Sequence, residues 1–211
     1  MTTPPSVYVP PLPPAPPIPP ARRRTRRTWI AVALLVVLLA ATAWWVTQDD
    51  NDSPLAGRPR VTDTAARLSY AIPEGWKRND SKGLIQAFTS SIATKGPDGH
   101  GGAVVLAGRA APLDEPALQQ RTETAARSNA EFFYPDSKAT VQESRPTTVS
   151  GRPAYTVVLS VLDDTGRAGR LRLTIIAQSS DQSAFLLGVT ESPESTDSRV
   201  ADAVLASAAV G

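Results

Sequence analysis

The sequence predicts an α+β fold: an antiparallel β-sheet packed with helices, preceded by one transmembrane helix and a disordered proline-rich tail. Three observations carry this. An uncharged apolar run, residues 29–46, has arginines before it and aspartates after it. Beyond residue 65, short stretches rich in Val, Ile, Leu and Tyr are separated by Gly, Pro and Asp, the pattern of strands and turns. Two stretches switch to a period near 3.6, the pattern of helices packed on one side.

Residues 1–27 form the tail. Ten of the chain's 20 prolines fall within residues 1–21, with no charged side chain among them. Such a segment populates polyproline II and builds no core. "PPIPPAR" looks like a docking strip for a proline-binding partner; a solvated tail held near anionic lipid by its arginines is the simpler reading. Arg22, Arg23, Arg24, Arg26 and Arg27 read as topology determinants. No aromatic residues interleave with them to stack bases, so no nucleic-acid partner is expected.

Residues 28–47 read as the membrane helix. At about 1.5 Å per residue the apolar run spans roughly 27 Å, close to a hydrocarbon core of about 30 Å. Trp29 at one end and Trp44 and Trp45 at the other match interfacial aromatic belts. The arginines precede the run, and Asp49, Asp50 and Asp52 follow it. The positive-inside rule then puts the N-terminus in the cytoplasm and the C-terminal domain outside, anchored through membrane lipid. Two rivals stand beside this. "ATA" at 41–43 matches a signal-peptidase site, which would release a secreted domain. "TRRTWI" loosely matches a twin-arginine signal. Against cleavage, the apolar run continues through Trp44, Trp45 and Val46.

Residues 48–64 lack apolar periodicity and read as a flexible linker. Residues 65–211 are long enough to bury one core. Past the apolar run the five arginines are spent, leaving 17 of 22 basic residues against all 20 acidic ones. No cysteine occurs, which excludes disulfides, thiolate metal sites, thiol catalysis and a lipid-bearing cysteine.

Within that domain, strands are expected at 67–72, 84–93 and 103–110, the last two flanking the turn-rich "TKGPDGHGG". A helix follows in "LDEPALQQRTETAARSNAEFF", with Asp114 as N-cap and Pro116 in the first turn. Its buried stripe is expected at Leu118, Thr122, Ala125, Asn129, Phe132 and Phe133. "TVQESR" suggests an edge strand. "RPAYTVVLSVLD", "RLRLTIIAQS" and "SAFLLGVTE" supply three more strands, joined by "DTGRAG" and "SDQ". A last helix starts near Thr196, with Val200, Val204 and Ala208 inward.

"YAIPEGWKR" at 70–78, "VSGRPAYTVVLSV" at 149–161 and the closing "SRVADAVLASAAV" together resemble PsbP-like α/β/α sandwich domains. Within that group they are most similar to the LpqN-type envelope proteins of actinobacteria. The resemblance covers about residues 65–210. It implies a non-catalytic module with a protein partner in a bacterial cell envelope, here anchored by a helix in place of the lipid. Unaided, Pro73 and Gly75 make a turn, and Gly151 and Pro153 a bend. Trp76 and Tyr155 are the candidate contacts for a ligand or partner, with packing as the competing role for both.

The usual chemistries find little support. "DTG" at 164–166 matches half of an aspartic-protease signature, but it also matches ordinary turn chemistry. His100 is the sole histidine, so a multi-histidine metal centre is excluded. The glycines around it lack a P-loop pattern. No catalytic residue, cofactor or metal site is therefore expected, and no enzyme. Nothing in the sequence sets an oligomeric state. Two binding roles stay open: an assembly module, or a carrier or sensor of a small apolar or cell-wall ligand using the groove between sheet and helix.

Overall fold

A computed structural model describes residues 55–79, 87–95, 102–192 and 195–211, all within one unit, Asp50–Gly211. The proline-rich tail, the apolar run 29–46 with its flanking arginines and tryptophans, and His100 lie outside the described residues. Among the described residues no helix is long and apolar enough to cross a membrane.

The strands are β1 (Arg60–Asp63), β2 (Leu68–Ala71), β3 (Lys77–Asn79), β4 (Phe88–Lys95) and β5 (Gly102–Ala110), then β6 (Lys138–Val149), β7 (Arg152–Leu162), β8 (Ala168–Ser179), β9 (Gln182–Thr190) and β10 (Ala209–Val210). Helix α1 (Glu115–Phe133) joins β5 to β6, and α2 (Thr196–Ala206) joins β9 to β10. Seven strands form one sheet in the order β3-β4-β5-β9-β8-β7-β6; β1, β2 and β10 form a second. Every pairing is antiparallel. The route explains the order. Helix α1 carries the chain from β5 to the far edge, and three hairpins then bring it back until β9 pairs with β5.

Side chains alternate across a pleated strand, so the large sheet carries two cores. One holds Leu171, Leu173 and Ile175 of β8 with Tyr155, Val157 and Leu159 of β7, under Leu118, Ala126 and Ala130 of α1. The other holds Val105, Ile176 and Leu186 with Val61, Leu68 and Tyr70 of the small sheet and Val204 and Leu205 of α2. The fold is thus α+β, a three-layered sandwich around one antiparallel sheet.

Turn chemistry sets the hairpins. Ser150 (φ 49°) and Gly151 (φ 73°) both take positive φ between paired Val149 and Arg152, the two-residue turn that matches strand twist. Gly75 has φ 78°, and the Trp76 N–H donates to Pro73 O at 3.3 Å, a type II turn. β6 occupies the sheet edge as expected. Its exposed Arg145 and Pro146, with half-buried Glu143, are the residues that discourage pairing with another chain.

Several expectations need correction. β1 falls inside the predicted linker, because its Val61 and Asp63 are buried while Arg60 and Thr62 are not; four residues are too few for a clear period. Strand β2 begins at Leu68, since Arg67 has φ 51° and belongs to the preceding turn. β4 begins at Phe88; of the predicted strand, 84–86 lie outside the described residues. β3 and β10 were not foreseen, being three and two residues long.

In α1 the buried positions are Leu118, Thr122, Ala126 and Ala130, and Asp114 stands at the N-cap without a side-chain cap bond. Phe132 is 59% exposed. The small alanines let the helix sit close on β7 and β8, which rotates the stripe away from the larger Phe132. In α2, Ser195 caps the start by accepting from the Ser198 N–H, and Ser198, Ala201, Val204 and Leu205 face inward. Val200 is only partly buried, and Ala208 lies past the helix end.

Candidate functional site

At the end of the sandwich where α1 stops, β7 turns into β8 and β5 begins, a cleft of about 500 Å³ opens. Its floor is apolar: Val104, Val161, Val189 and Phe133. Its rim is polar, with Thr94, Ser137, Asp163, Arg167 and Glu191. A volume in this range suits a drug-sized ligand or a few partner side chains.

Tyr134 builds one wall. It follows α1 directly, its N–H closing the helix on Ala130 O at 2.9 Å. Its hydroxyl donates to Thr190 O at 2.7 Å, with Arg170 O at 3.3 Å, so one side chain ties the end of α1 to β9 and β8. Burial pushes the Tyr134 hydroxyl up to about 12, with Glu191 adding to the shift, so the group stays a donor. The ring lies against Gly169, where an added Cβ would come within 2.5 Å of Tyr134 Cε1. Glycine is therefore required in this strand for close approach.

The β7–β8 turn builds the other wall. The Asp163 carboxylate accepts from the Thr165 N–H, the Thr165 hydroxyl, the Arg167 N–H and Arg167 Nε at 2.7–2.9 Å. The Thr165 hydroxyl foremost, with the Arg167 contacts, pulls Asp163 down to about 2. Gly166 takes φ 82° to close the turn. "DTG" thus lies in a hairpin turn, and its Thr165 serves the neighbouring Asp163. With Asp163 satisfied from within, the free polarity of the rim rests with Glu191 and the outer nitrogens of Arg167.

Trp76 and Tyr155 do not converge on this cleft. Each is 7% exposed, and they lie on opposite faces of the large sheet. Trp76 packs in the α2-side core. The Tyr155 hydroxyl lies 3.0 Å from Ser144 Oγ, which donates to Glu123 Oε1 at 2.8 Å. A carboxylate only accepts, so the relay runs Tyr155 to Ser144 to Glu123, joining β7, β6 and α1. The Ser144 bond, and then one from Gln119, lowers the Glu123 pKa.

Sequence reasoning missed Tyr134, Asp163 and Gly169. Two signals were present: an aromatic residue directly after a helical period, ahead of Pro135, and a lone glycine inside a strand pattern. Among the described residues, no group of three or more His, Cys, Asp or Glu side chains could hold a metal ion.

No family model matches the chain, and no curated protein does. Solved structures do match. The cyanobacterial PsbP protein CyanoP of Synechocystis sp. PCC 6803 aligns with a TM-score of 0.53 at 16% identity, covering 72% of this chain and 92% of that one. The Saccharomyces cerevisiae Ran-binding protein Mog1p aligns with a TM-score of 0.49 at 9% identity, covering 73% and 95%. LpqN, a Mycobacterium tuberculosis protein involved in cell envelope biogenesis, aligns with a TM-score of 0.48 at 13% identity, covering 72% and 88%. The domain has the PsbP-like α/β/α fold. At such identities the likeness extends to the fold alone, which hosts unrelated functions.

Proposed function

We propose that this chain is a non-catalytic binding or assembly module of a bacterial cell envelope. It is held on the plasma membrane by residues 28–47, with the N-terminus cytoplasmic and the folded domain outside. The end cleft carries this reading: an apolar floor and a polar rim whose walls are fixed by Tyr134 and by the Asp163 turn. A rigid concave surface of this kind binds without needing to reorganise. The arginine-flanked apolar run and the sequence likeness to LpqN-type envelope proteins support the location.

The test places a photo-crosslinking residue at Ser137, on the rim, and at Ala111, at the opposite end, in the full chain in native membranes. A discrete adduct from position 137 that disappears when Ala168 of the cleft is replaced by Arg supports the reading. Equal labelling from both positions, or labelling indifferent to Ala168→Arg, removes it.

A second reading takes the same cleft as the seat of a small apolar or cell-wall ligand, favoured by its floor of Val104, Val161, Val189 and Phe133. Extraction of the purified chain followed by mass spectrometry discriminates. A stoichiometric lipid lost with Ala168→Arg favours the carrier; a clean extract favours the assembly module.

A further inference from the structure

Away from the cleft, on the sheet face that carries α2, two arginines converge on one carboxylate. Arg170 and Arg172 stand two residues apart on β8 and so project from the same face. Arg170 Nη1 donates to Asp202 Oδ2 of α2 at 2.6 Å, with Ser198 Oγ at 3.4 Å. Arg172 Nη1 donates to Asp202 Oδ1 at 3.2 Å. The three side chains are 22%, 19% and 30% exposed. Two cations sharing one anion leave a positive charge uncompensated where solvent is mostly excluded, which is unfavourable unless further acceptors are supplied.

The donor inventory points the same way. A guanidinium offers five N–H donors in a rigid fork. Among the described residues only Nη1 of each arginine is used, which leaves the Nη2 groups to meet a ligand, while Arg172 Nε, enclosed without an acceptor, adds to the uncompensated charge. The acidic residue along the neighbouring ladder does not make up the difference. On β6, Glu143 lies across the ladder from Val158, itself opposite Arg172, but Glu143 is already paired with Arg145. Planar, multi-donor recognition of this kind suits an oxyanion with several oxygens, which can bridge two guanidiniums where a carboxylate meets only Nη1.

We infer that Arg170 and Arg172 form a site for a phosphate-class oxyanion beside α2, with Asp202 acting as an internal competitor for the same donors. The inference stands apart from the cleft and does not depend on what the cleft binds.

The experiment follows arginine Nε–H resonances of the 15N-labelled full chain in phosphatidylcholine nanodiscs at pH 7, with Arg170→Gln and Arg172→Gln assigning the signals. Inorganic phosphate is titrated in at ionic strength held constant with sodium chloride. Saturable shifts of the Arg170 and Arg172 signals support the site. Asp202→Asn removes the competing charge and tightens phosphate binding by about tenfold or more. In a second arm, phosphatidylglycerol in the nanodisc replaces free phosphate; shifts there identify a lipid headgroup as the source, and shifts only with free phosphate identify a soluble one. Neither probe moving these signals, or Asp202→Asn failing to tighten binding in a chain that keeps its folded methyl spectrum, overturns the proposal.

Discussion

At the scale of single residues, glycines and hydrogen-bonded carboxylates decide the cleft walls. Gly169→Ala puts a methyl group into the Tyr134 ring, so it should lower stability by about 1–3 kcal/mol, as overpacking does. Gly151→Ala meets nothing within 4 Å; its cost comes from φ 73° alone and should be about 1–2 kcal/mol. Urea unfolding of the two variants, with tyrosine fluorescence read for Gly169→Ala only, separates the causes. Asp163 yields a pH prediction. Its pKa in the folded chain lies near 2, below the ordinary 3.8, so the folded turn favours the charged form. The stabilisation is complete above the ordinary value and disappears as pH falls through about 2. The Thr165 and Arg167 amide signals should therefore titrate with a midpoint near 2, and in Asp163→Asn that transition should vanish.

At the scale of elements, buried polar relays fasten the layers to one another. Asp63 is 4% exposed and accepts from the Ala66 N–H at 2.9 Å, the Thr89 hydroxyl at 2.5 Å and the Ser90 hydroxyl at 2.6 Å. The Tyr70 hydroxyl lies 2.9 Å from Ser90 Oγ. Because the carboxylate only accepts, Tyr70 donates to Ser90 and Ser90 to Asp63. Burial pushes the Tyr70 hydroxyl up to about 12, which keeps it a donor. This relay fastens the small sheet to β4. Asp63→Ala leaves buried donors without an acceptor and should cost about 3–5 kcal/mol, measured by thermal unfolding. Ser195→Ala at the α2 cap should cost only about 1 kcal/mol. A reversed ranking would mean that the β1–β2 hairpin is not anchored through Asp63.

At the scale of the whole molecule, the proposed topology has its own test. Protease added to intact cells should remove the domain beyond residue 55, whereas a tag at the N-terminus should be digested only after the membrane is opened. A domain protected in intact cells contradicts the assigned orientation. The sandwich should unfold as one unit, since both cores share the strands of the large sheet. Leu173→Ala in the α1-side core should cost about 2–5 kcal/mol and shift the unfolding of the α2 side with it.

Element type and hairpin position were largely legible along the chain, because they depend on neighbours in sequence. Apolar runs bounded by turn residues marked β5, β7, β8 and β9, and Gly151 marked the bend before β7, although Pro153 stands inside that strand. Short elements such as β1, β3 and β10 were not legible; few residues carry no period, and their pairing energy comes from distant strands. The cleft was not legible either. Tyr134 meets Thr190 and Gly169 only after α1 has crossed the sheet, and Arg170 meets Asp202 only after β9 has closed against β5. Local chemistry sets the pieces and their order, whereas contacts between residues 30 to 60 positions apart exist only once the layers pack, because packing alone brings those atoms within bonding distance.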